Sequence, residues 1–181
     1  MLDNDWSADT ASFCSVCRTT VQADIVFLVD ESWSVGLSSF SRVKDFISAV
    51  VSYFPDHVVG SEGVRFGVTV FGDIPRMQIA LTDYSSREDV LKAVKELTYE
   101  GGSRKMAVAL KYLVDNVFSA AIVRDHAPKI TVLITNGRSD DQIGSAAQKV
   151  VDNGISLFAI GESLLAEVIQ QQYRVLNPNK I

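Results

Sequence analysis

Ile25-Val-Phe-Leu-Val29 is an unbroken apolar run that ends in Asp30, with Ser32 and Ser34 following at alternate positions. A continuous apolar run of this length predicts a strand buried on both faces of a parallel sheet. The strand is expected over Asp24 to Val29. Phe40, Val43, Phe46, Ile47, Val50, Val51 and Phe54 then recur at helical spacing, and Pro55 marks the stop. Val64 to Phe71 is β-branched and aromatic, Gly72-Asp73 supplies a turn, and Met77 to Leu81 is expected to return antiparallel. Helices are predicted over Arg87 to Leu97 and Met106 to Phe118, separated by Gly101-Gly102. Ile130 to Thr135 is a second continuous apolar strand, expected to be central. Asn136-Gly137 turns the chain into a helix over Ile143 to Val151, which Asn153-Gly154 ends in a left-handed cap. Ile155 to Ile160 is a third buried strand, and Leu164 to Val175 a last helix candidate.

Strands alternating with helices predict an α/β fold, doubly wound, with a mostly parallel sheet, one antiparallel edge hairpin strand and helices on both faces. At 181 residues and 47% hydrophobic content, the expectation is a polar leader over 1–22 and a single domain over 23–181. Ligands of such sheets collect beyond the carboxyl ends of the strands, which is where Asp30, Ser32 and Ser34 fall. Oxygen-only groups suit a hard cation such as magnesium. Asp and Ser equally favour caps and turns for ordinary hydrogen-bonding reasons.

A formal charge of −5 and a pI near 5.0 argue against nucleic acid or an anionic membrane as the main partner, because both reward clustered Lys and Arg. No apolar stretch reaches the roughly 20 residues that span a bilayer. Met1 to Phe13 is too polar for the core of a signal peptide, so an export signal would lie outside this chain. Cys14 and Cys17 form a Cys-x-x-Cys. A structural zinc would need two further ligands, and His57 and His126 stand apart with no spacing motif. A thioredoxin-like redox pair usually sits near a βαβ pattern, so the two are read as disulfide cysteines of an extracellular module, paired with each other or with partners elsewhere. Nucleophile-elbow, phosphate-loop and dinucleotide motifs are missing, and the chain is not expected to be an enzyme.

Ala23-Asp-Ile-Val-Phe-Leu-Val-Asp30-Glu-Ser-Trp-Ser-Val-Gly36, Gly63-Val-Arg-Phe-Gly67, Gly101-Gly102, Val132-Leu-Ile-Thr-Asn-Gly-Arg-Ser139 and Leu157-Phe-Ala-Ile-Gly161 together resemble a von Willebrand factor type A domain. The wording is most similar to modules of extracellular matrix proteins: fibril-associated collagens, collagens VI and VII, and matrilins. The resemblance implies a Rossmann-like fold and a metal-ion-dependent adhesion site. In the family the first loop supplies three ligands, matched by Asp30, Ser32 and Ser34. A Thr after the paired glycines and an Asp after the central strand supply two more. Here those positions hold Arg104 and Asn136.

A guanidinium at Arg104 places a permanent cation where a divalent ion would sit, and Asn136 removes a charge that would offset that ion. Two like charges about 4 Å apart repel by about 4 kcal/mol at an effective dielectric near 20. The expectation is a degenerate site in which Arg104 hydrogen-bonds to Asp30. No cofactor is expected, with weak magnesium or manganese binding the most that is left. The alternative has Arg104 in solvent, with Ser103 or a loop shift restoring a ligand. Trp33, between the two serines, is either an exposed partner contact or packed over the neighbouring helix. Asp140 and Asp141 are assigned to the start of the following helix.

The resemblance also implies a last strand and terminal helix, which this chain is expected to lack. The strand at Ile155 to Ile160 would then be an exposed edge capable of self-association, unless Leu164 to Val175 folds back over it. The function implied is an extracellular interaction module that binds collagens or other matrix proteins. The alternative is an intracellular scaffold subunit of the same fold.

Overall fold

In the computed structural model, residues 21–119 and 122–161 are described. Cys14, Cys17 and the helix expected over Leu164 to Val175 lie outside them. The elements run β1 (Ala23–Asp30), α1 (Gly36–Tyr53), β2 (Val64–Phe71), β3 (Pro75–Ile79), α2 (Arg87–Lys95), α3 (Met106–Tyr112), β4 (Lys129–Ile134), α4 (Gly144–Asp152) and β5 (Ile155–Ile160). The sheet order is β3-β2-β1-β4-β5. All neighbours are parallel except β2 and β3.

β1 is buried along its whole length because both its faces are covered. Successive side chains of a strand point to opposite faces, so Ile25, Phe27 and Val29 enter one core with Phe40, Ile47 and Val51 of α1 and Val90 and Val94 of α2. Val26 and Leu28 enter the other, with Met106 and Leu110 of α3 and Ala146 and Val150 of α4. The chain leaves β1 for β2 on one side and later returns to β4 on the other. This reversal opens a crevice at the carboxyl end of β1, the position at which doubly wound sheets hold ligands.

Several expectations are corrected by tertiary packing. The α1 stripe is narrower than the periodicity implied: Phe46, one residue from buried Ile47, is exposed. The return strand lies at Pro75–Ile79 rather than Met77 to Leu81, because Asp83 Oδ2 accepts from Ala80 N at 2.8 Å and draws that segment into a turn. The helix expected to continue to Phe118 changes to a π-helical turn at Leu113–Val117, closed by Phe118 N on the Leu113 carbonyl. The third buried strand is buried on one face only. Ile155 and Leu157 are covered while Phe158 and Ile160 are exposed, and β5 is at the sheet edge among the described residues. Whether a further strand or helix covers that edge falls outside those residues.

At its amino end β1 carries Asp24, which is fully buried. Its carboxylate accepts from Arg65 Nε at 2.8 Å and Nη2 at 2.6 Å, and from Arg124 Nη2 at 2.5 Å. Burial by itself would raise the Asp24 pKa, but the two guanidinium groups outweigh it and hold the pKa below 3.8. Asp24→Asn should therefore cost about 3–5 kcal/mol at neutral pH, since it leaves two largely buried cations without their counter-charge. A depressed carboxylate pKa stabilises the fold above the unfolded value and loses that effect as pH falls through the folded value. The gap between parent and variant should narrow once pH drops below 3.8, as read from urea denaturation over a pH series.

Candidate functional site at the carboxyl edge of the sheet

Asp30 closes β1 and is 1% exposed. A carboxylate so placed has lost its water and must recover hydrogen bonds from the protein. Asp30 Oδ1 accepts from Ser32 N at 2.8 Å. Asp30 Oδ2 accepts from Thr135 Oγ1 at 2.7 Å, at the end of β4, and from Arg104 Nε at 2.7 Å. Three separate segments thus converge on one side chain.

Arg104 points inward, its side chain 13% exposed. Beyond Asp30, Nη1 donates to the Arg138 carbonyl at 2.9 Å, and Nη2 donates to Asn136 Oδ1 at 2.8 Å and to Ser34 Oγ. Asn136 uses both halves of its amide, because Nδ2 donates to the Ser34 carbonyl at 3.0 Å. An Asp there could accept from Arg104 but could not make the second bond. The Ser32 and Ser34 hydroxyls lie 3.0 Å apart, in hydrogen-bond contact. Asp30, Ser32, Ser34, Arg104 and Asn136 are therefore brought together in one cluster, with the guanidinium at its centre. Ser103 is committed elsewhere: its hydroxyl donates to Asp73 Oδ1 at 2.5 Å, and this holds the Asp73 pKa below its ordinary value.

The donor set was tested for a divalent cation. Such an ion needs free oxygen lone pairs around an open centre. In this arrangement oxygens of Asp30, Ser34 and Asn136 accept from guanidinium nitrogens instead, and the residues as placed do not fit the ion.

Asp140 and Asp141 do not serve the helix that follows them. Asp140 Oδ2 accepts from Arg104 N at 2.7 Å, while Asp141 accepts from Ala107 N at 2.9 Å and Val108 N at 3.2 Å. Asp141 caps the start of α3 across space and Asp140 holds the segment just before it, because the loop after β4 passes over that helix end and its unpaired N–H groups. Burial raises the Asp141 pKa, yet bonds from Ser139 and the α3 amides bring it below 3.8.

Trp33 is 71% exposed. Its backbone N–H donates to the Gly102 carbonyl at 2.9 Å, and its ring meets Tyr99 edge-on at 6.4 Å between centroids. Gly101 lies under the ring, where a Cβ would stand 2.3 Å from Trp33 Cζ3. Trp33 thus packs against the Gly101 loop and Tyr99 while most of its ring faces outward. Glu31, behind it, accepts from Arg76 Nη2 at 2.8 Å and from Glu100 N at 3.0 Å. Burial pushes the Glu31 pKa up by more than these partners lower it.

The sequence pattern did not single out Thr135, Glu31, Arg76 or Gly137. Thr135 carried a weak signal, since it stands beside Asn136 where an apolar strand ends. The others depend on contacts between residues more than 30 positions apart, which no local pattern encodes.

The doubly wound α/β sheet with Asp-x-Ser-x-Ser at its carboxyl edge defines the class of domain. The chain belongs to the von Willebrand factor type A domain family, whose model matches residues 24–177. It is 38% identical over 146 residues to the collagen alpha-1(XII) chain of Notophthalmus viridescens, covering 80% of this chain and 15% of that one. Matrilin-1 of Gallus gallus is 35% identical over 151 residues, covering 82% of this chain and 30% of that one. The chain therefore spans less than a third of the length of these curated relatives. Among solved structures, proximal thread matrix protein 1 from the mussel byssus, with a zinc occupied MIDAS motif, superposes with a TM-score of 0.76 at 28% identity, over 84% of this chain and 43% of that one. The manganese-loaded TRAP protein of Plasmodium vivax shares the fold, at a TM-score of 0.68 and 19% identity over 90% of this chain and 65% of that one.

Gly137 gives this geometry a specific test. A Cβ at that position would lie 2.3 Å from Arg104 Nη1. Gly137→Ala should cost about 1–3 kcal/mol in the parent and close to nothing in an Arg104→Thr background, giving a coupling of similar size in a double-mutant cycle. Equal costs in both backgrounds would show that the guanidinium does not lie against Gly137.

Proposed function

We propose that this chain is a noncatalytic interaction module of a secreted, extracellular matrix protein of the collagen or matrilin kind. It binds matrix proteins such as collagens through the loops at the carboxyl edge of the sheet. Its metal-ion-dependent adhesion site is degenerate, and Arg104 serves as a built-in substitute for the cation. Asp30, Ser32 and Ser34 are the retained half of that site, and Arg104 and Asn136 are the altered half. Disulfide pairing of Cys14 and Cys17 belongs to the same reading. The relatives support the matrix assignment, and the bonds of Arg104 to Asp30, Ser34 and Asn136 carry the assignment of the site.

The charge balance explains how such a site holds together without metal. Asp30 is buried, so removing Arg104, its cationic partner among the described residues, strands a charge in a poorly solvated place. A divalent ion brought close to the guanidinium meets a repulsion of about 4 kcal/mol per unit charge at 4 Å and an effective dielectric near 20. The guanidinium is tethered to the chain and, unlike a bound ion, cannot dissociate from the site. Its nitrogens donate and accept nothing, so Arg104 offers Ser32 and Ser34 no base, which supports a noncatalytic role.

Magnesium and manganese titrations of the parent, followed by calorimetry and thermal melting, should give no saturable heat and no rise in melting temperature. Saturable binding in the micromolar range would overturn the reading. Arg104→Thr combined with Asn136→Asp should create measurable binding of either ion and a melting temperature that responds to it. No gain from the pair would mean that the loops do not converge on one centre.

A further inference from the structure

Beside the Arg104 cluster, a separate cleft runs between the Trp33 ring and Ile74 of the β2–β3 turn, floored by Glu31, Arg76 and Glu100 and flanked by Asp73. Its two walls are the most exposed apolar groups at this edge of the sheet, at 71% for Trp33 and 72% for Ile74. The Trp33 ring is also held in place. Tyr99 locks the Trp33 ring from the side while its hydroxyl donates to the Ser32 carbonyl at 3.2 Å. Gly101 supports the ring from below. An aromatic side chain that is fixed yet uncovered loses little entropy on contact, and such residues dominate the energy of protein interfaces.

The charge between these walls selects the occupant. Three carboxylates line the cleft against one guanidinium. That guanidinium is already taken, because Arg76 Nη2 binds Glu31 and Nη1 binds Glu100 Oε1 at 2.8 Å. Lys105 lies close enough to Asp73 to influence it, which reduces the negative field without reversing it. Glu100 remains largely solvent-facing, with 63% of its side chain exposed. Among the residues lining the cleft an acidic ligand residue finds no unpaired cation, and the Arg104 guanidinium is spent as well, since Nε, Nη1 and Nη2 all donate within the protein.

We infer that this cleft is a metal-independent docking site for an arginine side chain presented by an extended segment of a matrix-protein partner. The methylene stem lies along Ile74, and the guanidinium covers the face of Trp33 with Glu100 and Asp73 at its rim. Arginine is preferred to lysine because its planar, weakly hydrated group stacks on an aromatic ring. The inference rests on the interaction-module reading above and names the chemistry of the partner.

The test uses the whole chain labelled with nitrogen-15 and three blocked hexapeptides, acetyl-Gly-Pro-Xaa-Gly-Leu-Pro-amide with Xaa as Arg, Gln or Glu. The indole N–H signal of Trp33 is identified by its loss in Trp33→Phe. The Arg peptide should shift that signal, bind about tenfold more tightly than the Gln peptide, weaken with added salt and be indifferent to EDTA. Glu100→Lys should abolish the Arg preference. Ile74→Ser, at a side chain 72% exposed, should weaken binding while leaving the rest of the spectrum in place. Equal binding of the Arg and Gln peptides would overturn this inference and leave the interaction-module reading standing. Tighter binding of the Glu peptide, dependent on magnesium, would overturn both this inference and the degenerate-site assignment.

Discussion

The buried carboxylate of Asp30 is the constraint around which the carboxyl edge of this domain is organised. Packing both faces of β1 into apolar cores carries its last residue out of water. An ionised carboxylate there requires a positive partner and hydrogen bonds. Ser32 N, Thr135 and Arg104 supply them from the first loop, the end of β4 and the segment before α3. Neutralising one charge therefore fixes three segments relative to each other. A dissociable ion and a tethered guanidinium can both satisfy that electrostatic need, but they leave different surfaces. An ion with an open coordination position can accept a carboxylate from a partner. Arg104 spends its donors on Asp30, Ser34, Asn136 and the Arg138 carbonyl, so recognition in the proposed reading must come from neighbouring groups.

The same logic operates at the other end of the strand. Asp24 is as deeply buried as Asp30 and is held by Arg65 from β2 and Arg124 from the segment before β4. β1 is thus pinned at both ends by carboxylates paired with arginines distant in sequence. Between these pins its apolar side chains divide between the two cores. Glu31 adds a third clasp, joining Arg76 of β3 and the backbone at Glu100, and this clasp supports the loop that presents Trp33. Rigidity in the strand becomes a fixed arrangement of loops, and fixed loops let an exposed aromatic act as a preformed contact.

Much of this was legible in the chain. The unbroken apolar run before Asp30 marks a central strand, since only a doubly covered strand needs hydrophobic groups at every position. Alternating strand and helix signals gave the doubly wound sheet, and β5 fell at the same residues as expected. The expectation that Arg104 approaches Asp30 came from the resemblance to the family, whose ligand position after the paired glycines falls on Arg104, and not from any local pattern. Boundaries were less legible where a single side chain decided them, as Asp83 does for the end of β3.

What the sequence determined by itself is the order of elements, the faces of β1 and the residue types gathered beyond its end, because these depend on periodicity and on local turn chemistry. Tertiary structure alone decided which partners those residues take. Asp141 caps α3 rather than the next helix and Asp140 binds the Arg104 backbone, Ser103 goes to Asp73, Gly137 makes room for a guanidinium, and Trp33 lies over Gly101. Each of these choices is set by distance between segments far apart in the chain. Such distances emerge only when both cores have packed and the loops have been drawn around Asp30.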